Sequence, residues 1–275
     1  MINLNIHLTL TSPFVAAASG LVITDQFFLI VADDENHMAR FDRTSLQGEY
    51  LEIFPDQLPT EPKARKKIKP DFESLIDCPS LQRLLVMPSG STSQRMRAAW
   101  LAPSGELLNH WNLSDFFLSL NPYISEINIE GGVFFDQELL LFQRGNGEKG
   151  ENGLIYCELT SLQTLKFKAY KPIQLPLIQG VATTFTDACR YQDQLLFVAV
   201  AEDSQSTYLD GEVKGSIMGL MSHSGEVLKY EILNTLSKPE GIFWDGIHKK
   251  IYLVTDDDDR KKPSQLLWGE WKALV

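Results

Sequence analysis

Short apolar runs rich in β-branched and aromatic residues recur along the chain at near-even intervals, each bounded by turn residues. Five of them, Phe27–Val31, Arg83–Met87, Leu139–Phe142, Leu195–Val200 and Ile251–Val254, are almost wholly apolar and read as strands buried on both faces. Ahead of each lies a shorter strand that opens on a small polar or acidic residue, at Ser19, Glu73, Glu130, Asp187 and Glu240. These anchors are 54, 57, 57 and 53 residues apart, and a further 54 lead from Glu240 through the C-terminus back to Ser19. One repeat of about 55 residues therefore accounts for the whole chain.

Third and fourth strands follow in most repeats. Met96–Leu101 and Glu106–Trp111 are joined through Pro103-Ser104-Gly105, a tight-turn sequence, and Met218–Met221 and Val227–Ile232 through Ser222-His223-Ser224-Gly225. Four strands per repeat is the blade of a β-propeller. The fifth repeat ends after its third strand, Gln265–Trp271, while residues 2–10 alternate polar and apolar positions as an edge strand does. The expectation is one all-β domain over residues 1–275, a five-bladed β-propeller of four-stranded blades, closed by the N-terminal strand completing the last blade. Residues 114–126 leave room for a helical insertion.

Composition narrows the partners. A formal net charge of −11 repels phosphate backbones and anionic lipid, so neither nucleic acid nor a membrane surface is an expected partner. The one basic run, Lys63–Lys69, reads as a solvated loop face or an anion-binding patch. Cys78, Cys157 and Cys189 lack metal-ligand spacing and read as buried reduced thiols. The opening residues lack a basic n-region and a continuous apolar stretch, and no window approaches 18 uncharged apolar residues, so a cytoplasmic location is expected.

The topology of a propeller brings the start of each first strand and the end of each second strand to one mouth of the central channel. The first ring is then Ser19, Glu73, Glu130, Asp187 and Glu240; the second, 14 to 16 residues later, is Asp33, Ser89, Arg144, Glu202 and Asp256. Carboxylates crowded around a narrow opening resist ionisation unless cations or donors compensate them. Calcium is one candidate, with Glu73, Glu130, Asp187 and Glu240 as ligands; hydrogen bonds to backbone N–H groups at the strand starts are the other. Lys67, Lys69, Arg95 and Arg144 add positive donors able to orient an anion or a polyhydroxylated ligand. Asp34 and His37 follow Asp33 at a strand end, and Ser89 and Ser91 lie in a Ser-rich turn without the lysine pattern of a phosphate loop. Glu202, Asp203, Asp210 and Glu212 belong to a long loop suited to a rim.

Ala32-Asp33-Asp34-Glu35-Asn36-His37, Lys69-Pro70-Asp71-Phe72-Glu73-Ser74-Leu75, Ser89-Gly90-Ser91 with Arg95, and Asn128-Ile129-Glu130-Gly131 with Gln143-Arg144-Gly145-Asn146 together resemble an uncharacterised family of bacterial β-propeller proteins. Glu130-Gly131 and Glu240-Gly241 more distantly resemble anchors of phytase-like esterase and SdiA-regulated propellers; Ser19 and Asp187 depart from that pattern. The resemblance implies the fold and the channel residues but no activity. The expected function is binding of a small polar or anionic ligand, with or without a cation, at the channel mouth. The alternatives are a metal-assisted hydrolase of a phosphorylated or glycosidic small molecule, with Glu73, Glu130 and Glu240 as metal ligands or acid/base groups, and a scaffold for a protein partner.

Overall fold

A computed structural model describes residues 2–148, 150–203, 212–235 and 237–271. Asp210 lies outside the described residues. The N-terminal alternation forms β1 (Ile2–Thr9). The first repeat forms β2 (Ala18–Ile23), β3 (Phe27–Ala32), β4 (His37–Asp42) and β5 (Gly48–Glu52), and helix α1 (Pro62–Ile68) follows. The second forms β6 (Phe72–Cys78), β7 (Arg83–Pro88), β8 (Arg97–Leu101) and β9 (Leu107–Asn112), followed by helix α2 (Ser114–Leu120). The third forms β10 (Ile129–Phe135), β11 (Glu138–Gln143), β12 (Gly153–Ser161) and β13 (Thr164–Pro172). A two-residue strand β14 (Leu177–Ile178) precedes β15 (Val181–Tyr191), β16 (Gln194–Asp203), β17 (Glu212–Ser222) and β18 (Val227–Asn234). The last repeat forms β19 (Lys238–Asp245), β20 (Lys250–Asp256) and β21 (Gln265–Gly269).

The architecture is all-β and built on four-stranded antiparallel sheets, as the repeat predicts: β2–β5, β6–β9 and β10–β13 are separate sheets of four. The other two repeats differ from five clean sheets. They merge into one nine-stranded sheet, because β1 pairs antiparallel with β21 and, through Ile2 and Asn3, parallel with Leu233 and Asn234 of β18. The core is divided by the seams between repeats. Separate apolar clusters join β2–β4 to β6–β8, β6–β8 to β10–β12, β10–β12 to β15–β17, β15–β17 to β19–β21, and β19–β21 to β2–β4. Each fully buried aliphatic or aromatic side chain in them is worth about 1.5–3 kcal/mol.

Every first strand carries a β-bulge, near its start in four repeats and mid-strand in β15. The register with the second strand slips around Ser19, Glu73, Glu130 and Glu240, and in β15 around Thr186. A bulge leaves one residue unpaired and re-aims its side chain. The equivalent of the glutamates in the fourth repeat is thus Thr186, one residue before the Asp187 expected from sequence. Asp187 instead aligns with Gly20, Ser74, Gly131 and Gly241, where adjacent first strands approach closely. A Cβ on Gly20 would lie 2.6 Å from the backbone nitrogen of Leu75, and one on Gly131 2.9 Å from that of Ala188.

Two helices interrupt the strands. The one expected after residue 114 is α2, which buries Phe116, Phe117 and Leu120. The basic run is a helix too, not a loop. Pro62 opens α1, and the Glu61 carboxylate caps it by accepting from the backbone N–H of Lys63 at 3.0 Å and of Ala64 at 2.6 Å.

Candidate functional site

The residue two positions before each of the bulge glutamates Glu73, Glu130 and Glu240 lines the same space as they do. That adds Asp71, Asn128 and Lys238 to the glutamates, and their partners lie at the ends of the second strands. Ser89 donates its N–H to the Asp71 carbonyl at 3.0 Å, Arg144 to that of Asn128 at 2.8 Å, and Asp33 to that of Ala17 at 3.1 Å. The result is a cavity of about 120 Å³ walled almost entirely by polar side chains, including Glu73, Glu130, Glu240, Asp33, Glu202, Asp256, Lys69, Arg95, Arg144 and Lys238.

Arg144 organises one side of it. Its Nη2 lies 2.8 Å from Glu202, and its Nη1 lies 3.4 Å from Glu130 and 3.8 Å from Glu240. Lys238 sits 3.0 Å from Glu240 and 3.1 Å from Asp258. On the other side Lys69 pairs with Asp33 and lies 2.8 Å from Asp71, while Arg95 lies 2.9 Å from Asp71. Asp71 holds a left-handed backbone (φ 59°), which aspartate tolerates, and the buried Ser89 hydroxyl donates to its carboxylate. Asn128 Nδ2 donates to Glu130 at 2.6 Å.

Burial divides these acids. It pushes the Glu130 carboxyl up to about 8, with Arg144 opposing the shift and Glu240 adding to it. Burial likewise raises Glu73 well above the usual carboxylate range, helped by Glu130 and Asp71, and raises Glu240 against the pull of Lys238 and Arg144. Asp256 is also raised, chiefly by burial. Asp71 goes the other way: burial opposes its charge, but Lys69 and Arg95 hold the carboxylate below its usual range. Burial thus favours the neutral form of Glu73, Glu130 and Glu240, while Lys69 and Arg95 favour the ionised form of Asp71, in one small space beside fixed cations.

The remaining expected residues are spread around this centre. Asp187 is buried below the mouth, where Oδ2 accepts from the Ile242 N–H at 2.8 Å, and burial raises its carboxyl. Ser89 is fully buried behind Asp71, and Ser91 accepts from Arg95 Nη1 at 2.9 Å. Asp34 pairs with Arg260 at 3.0 Å in an adjoining cavity, and burial raises its carboxyl to about 6. His37 stands on β4 with its ring 4.1 Å from that of Tyr50. Lys67 faces a basic groove with Lys63, and the lysine of α1 that reaches the central cavity is Lys66. Sequence reasoning missed Asp71, Asn128 and Lys238. The signal was there: Asp-Phe-Glu, Asn-Ile-Glu and Lys-Pro-Glu each place a polar residue two before the glutamate.

Oxygens of Asp33, Asp71 and Glu73 lie within 4.8 Å of one another, the spacing a hard cation needs. The ammonium of Lys69, which contacts Asp33 and Asp71, already stands against that group. Lys69 and Arg95 thus offset Asp33 and Asp71 from within the chain.

A family of unknown function (DUF6929) has a model that matches residues 14–269. The chain belongs to that family. No curated protein is significantly similar to it. Among solved structures, a candidate glycosidase from Bacteroides thetaiotaomicron aligns over 93% of this chain and 86% of its own, with 9% identity and a TM-score of 0.54. A luciferin-regenerating enzyme aligns over 99% and 96%, with 9% identity and a TM-score of 0.50. The β-propeller domain of Cps50 (Swd1) from Myceliophteria thermophila aligns over 92% and 65%, with 9% identity and a TM-score of 0.41. At such identities the likeness concerns fold alone. Among the described residues no helix is long and apolar enough to cross a membrane.

Proposed function

We propose that the chain is a ring of five four-stranded blades, closed by β1, whose charged mouth binds a small polyhydroxylated ligand. Two observations support the ring: apolar clusters occupy the seam between the last repeat and the first as well as the other four, and β1 pairs with β21 at the fourth position of the last blade. The observation that carries the ligand is the mixed state of the mouth. Arg144, Lys69 and Lys238 are fixed donors, ionised Asp71 is an acceptor, and the neutral Glu130 carboxyl both donates and accepts. A hydroxyl-rich molecule uses donors and acceptors together, whereas a strongly charged one would unbalance pairs already made. Its small volume and polar walls favour a polyol or a single sugar ring over an apolar ligand.

The test is thermal unfolding of the intact chain with monosaccharides and polyols, and with Ca²⁺ after chelation. A ligand at 100 times its Kd adds about 2.7 kcal/mol of stability. A saturable rise with a sugar or polyol, lost in Glu130→Gln and Glu240→Gln, is the expected result. A response to Ca²⁺ alone would reassign the mouth to a cation, and no response to any probe would sink the reading.

One observation favours a hydrolytic reading as well. A carboxyl kept protonated at neutral pH beside ionised ones is the arrangement of a general acid and its partner. Release of nitrophenol from nitrophenyl glycosides, abolished in Glu130→Gln, would move the site from binding to catalysis.

A further inference from the structure

A second cavity of about 410 Å³ adjoins the mouth, between the Ser89–Arg95 loop and α2. Arg95 and Asn128 line both cavities, so the two share a wall. Their chemistry differs. The mouth is mostly charged, whereas the second cavity is lined by Ser91 and Thr92 of the loop, by Met96 and by Phe117 and Leu118 of α2. Asn121 and Glu126 add polar groups beside Phe117 and Leu118, and such a mixture of polar and apolar side chains fits a ring with hydroxyl groups on its edge and carbon–hydrogen bonds on its face.

The cavity is built, not incidental. Gly90 adopts a left-handed backbone (φ 70°), and a Cβ there would lie 2.1 Å from the Phe117 ring, so the loop is pressed directly onto α2. Gly90 N–H donates to the Arg95 carbonyl at 3.0 Å, and Arg95 N–H to that of Thr92 at 3.0 Å. The Arg95 guanidinium is fixed by Asp71, Ser91 and the Lys66 carbonyl, the last at 3.1 Å. Phe117 is buried in the core between the second and third repeats, which anchors the opposite wall. A site preorganised in this way loses little freedom when occupied.

We infer that this cavity is a second subsite, and that the ligand is a saccharide of at least two rings, one in the mouth and the next between Thr92 and Leu118. The inference rests on the proposed ligand class of the mouth. It assigns the Arg95–Asn128 wall to the junction between rings. It also assigns the size of the ligand, which the mouth alone leaves at one ring.

The experiment is calorimetric titration of the intact chain with methyl glycosides of glucose, galactose and mannose, and with the 1,4-linked disaccharides of each in both anomeric forms. The expected result is one disaccharide binding at least tenfold tighter than its own methyl glycoside. Thr92→Trp, a change on the half-exposed loop wall that fills the cavity, should abolish that gain and leave the affinity of the methyl glycoside within twofold. Leu118→Ala, at a 58% exposed position, should reduce the gain without affecting folding. Monosaccharide binding with no gain for any disaccharide overturns the subsite and leaves the mouth standing, as does a gain that survives Thr92→Trp. Binding by neither panel overturns the mouth reading and the subsite together.

Discussion

The bulges of the first strands fall into two kinds. Ser19 and Thr186 present hydroxyls, and each donates across the seam to a carbonyl of the next first strand: Ser19 to Phe72, and Thr186 to Pro239 at 2.7 Å. Glu73, Glu130 and Glu240 occupy the same backbone position but face the central cavity and the cations that line it. A short hydroxyl at this position is consumed in joining adjacent strands. A longer carboxyl reaches past the seam, and its burial is then offset by Arg144, Lys69 and Lys238, and at Glu130 also by Asn128. The same bulge position thus carries a seam hydrogen bond in two repeats, with Ser19 also at the edge of the cavity, and a cavity-lining carboxyl in three.

The largest effect that tests this division comes from the shared cation. Arg144→Met keeps most of the side-chain volume but leaves Glu130, Glu202 and Glu240 without their common partner. Breaking a buried charge network in this way costs about 3–5 kcal/mol. The cost should be greatest near pH 8 and smaller near pH 5, where Glu130 and Glu240, both raised by burial, take up protons. Denaturant unfolding at both pH values checks it. An equal loss at both would mean that the arginine acts through packing, and the glutamates would then resemble the hydroxyl anchors after all.

Thr186→Val should cost less, about 1–3 kcal/mol, the price of a buried carbonyl left without its donor. The loss should be independent of pH, since nothing in that contact titrates, and ligand affinity at the mouth should be unchanged. A fall in affinity comparable to that of Glu130→Gln would place Thr186 among the site residues and erase the distinction between the two kinds of anchor.

Much of this was legible in the sequence because strand burial has a strict period. The uniformly apolar runs mark the second strands, and the spacing of Glu73, Glu130 and Glu240 marks the mouth. The fourth repeat misled for a physical reason. Thr186-Asp187 offers an acid one place after a hydroxyl, and only the register of β15 against β16 tells which of the two sits on the bulge. Lys69 was anticipated from its place beside the second anchor, but its pairing with Asp33 joins residues from different repeats and has no local signature. The parallel contact of β1 with β18 was invisible for the same reason. The helix over Pro62–Ile68 had a local signature in Glu61-Pro62, an acidic cap before proline, which the charge of the following lysines and Arg65 obscured.

The smallest effect on stability at low pH is expected at Glu130, and there the pH dependence is the measurement. Glu130→Gln replaces a carboxyl whose neutral form burial favours by a neutral amide of the same shape, so below pH 4.5 stability should change by under about 1 kcal/mol, the scale of one ordinary hydrogen bond, and at pH 7 the variant should be the more stable of the two. Its carboxyl rises on folding from 4.5 to about 8. Between those values the folded chain holds a proton that the unfolded chain has released, so this group stabilises fully below pH 4.5 and its contribution is lost as pH climbs to about 8. One such proton changes stability by up to about 1.4 kcal/mol per pH unit. The wild-type profile should therefore slope downward across that window, and the Glu130→Gln profile should be flatter. Some downward slope should persist, because Glu73, Glu240 and Asp256 are raised in the same direction. Lys69 and Lys238 are also raised, and their contribution is lost only above the ordinary lysine range, outside the window. Parallel profiles for the two proteins would mean that Glu130 is ionised in the folded chain, which would remove the neutral donor from the mouth and leave an ion-pair network with the cohesive role of Ser19 and Thr186.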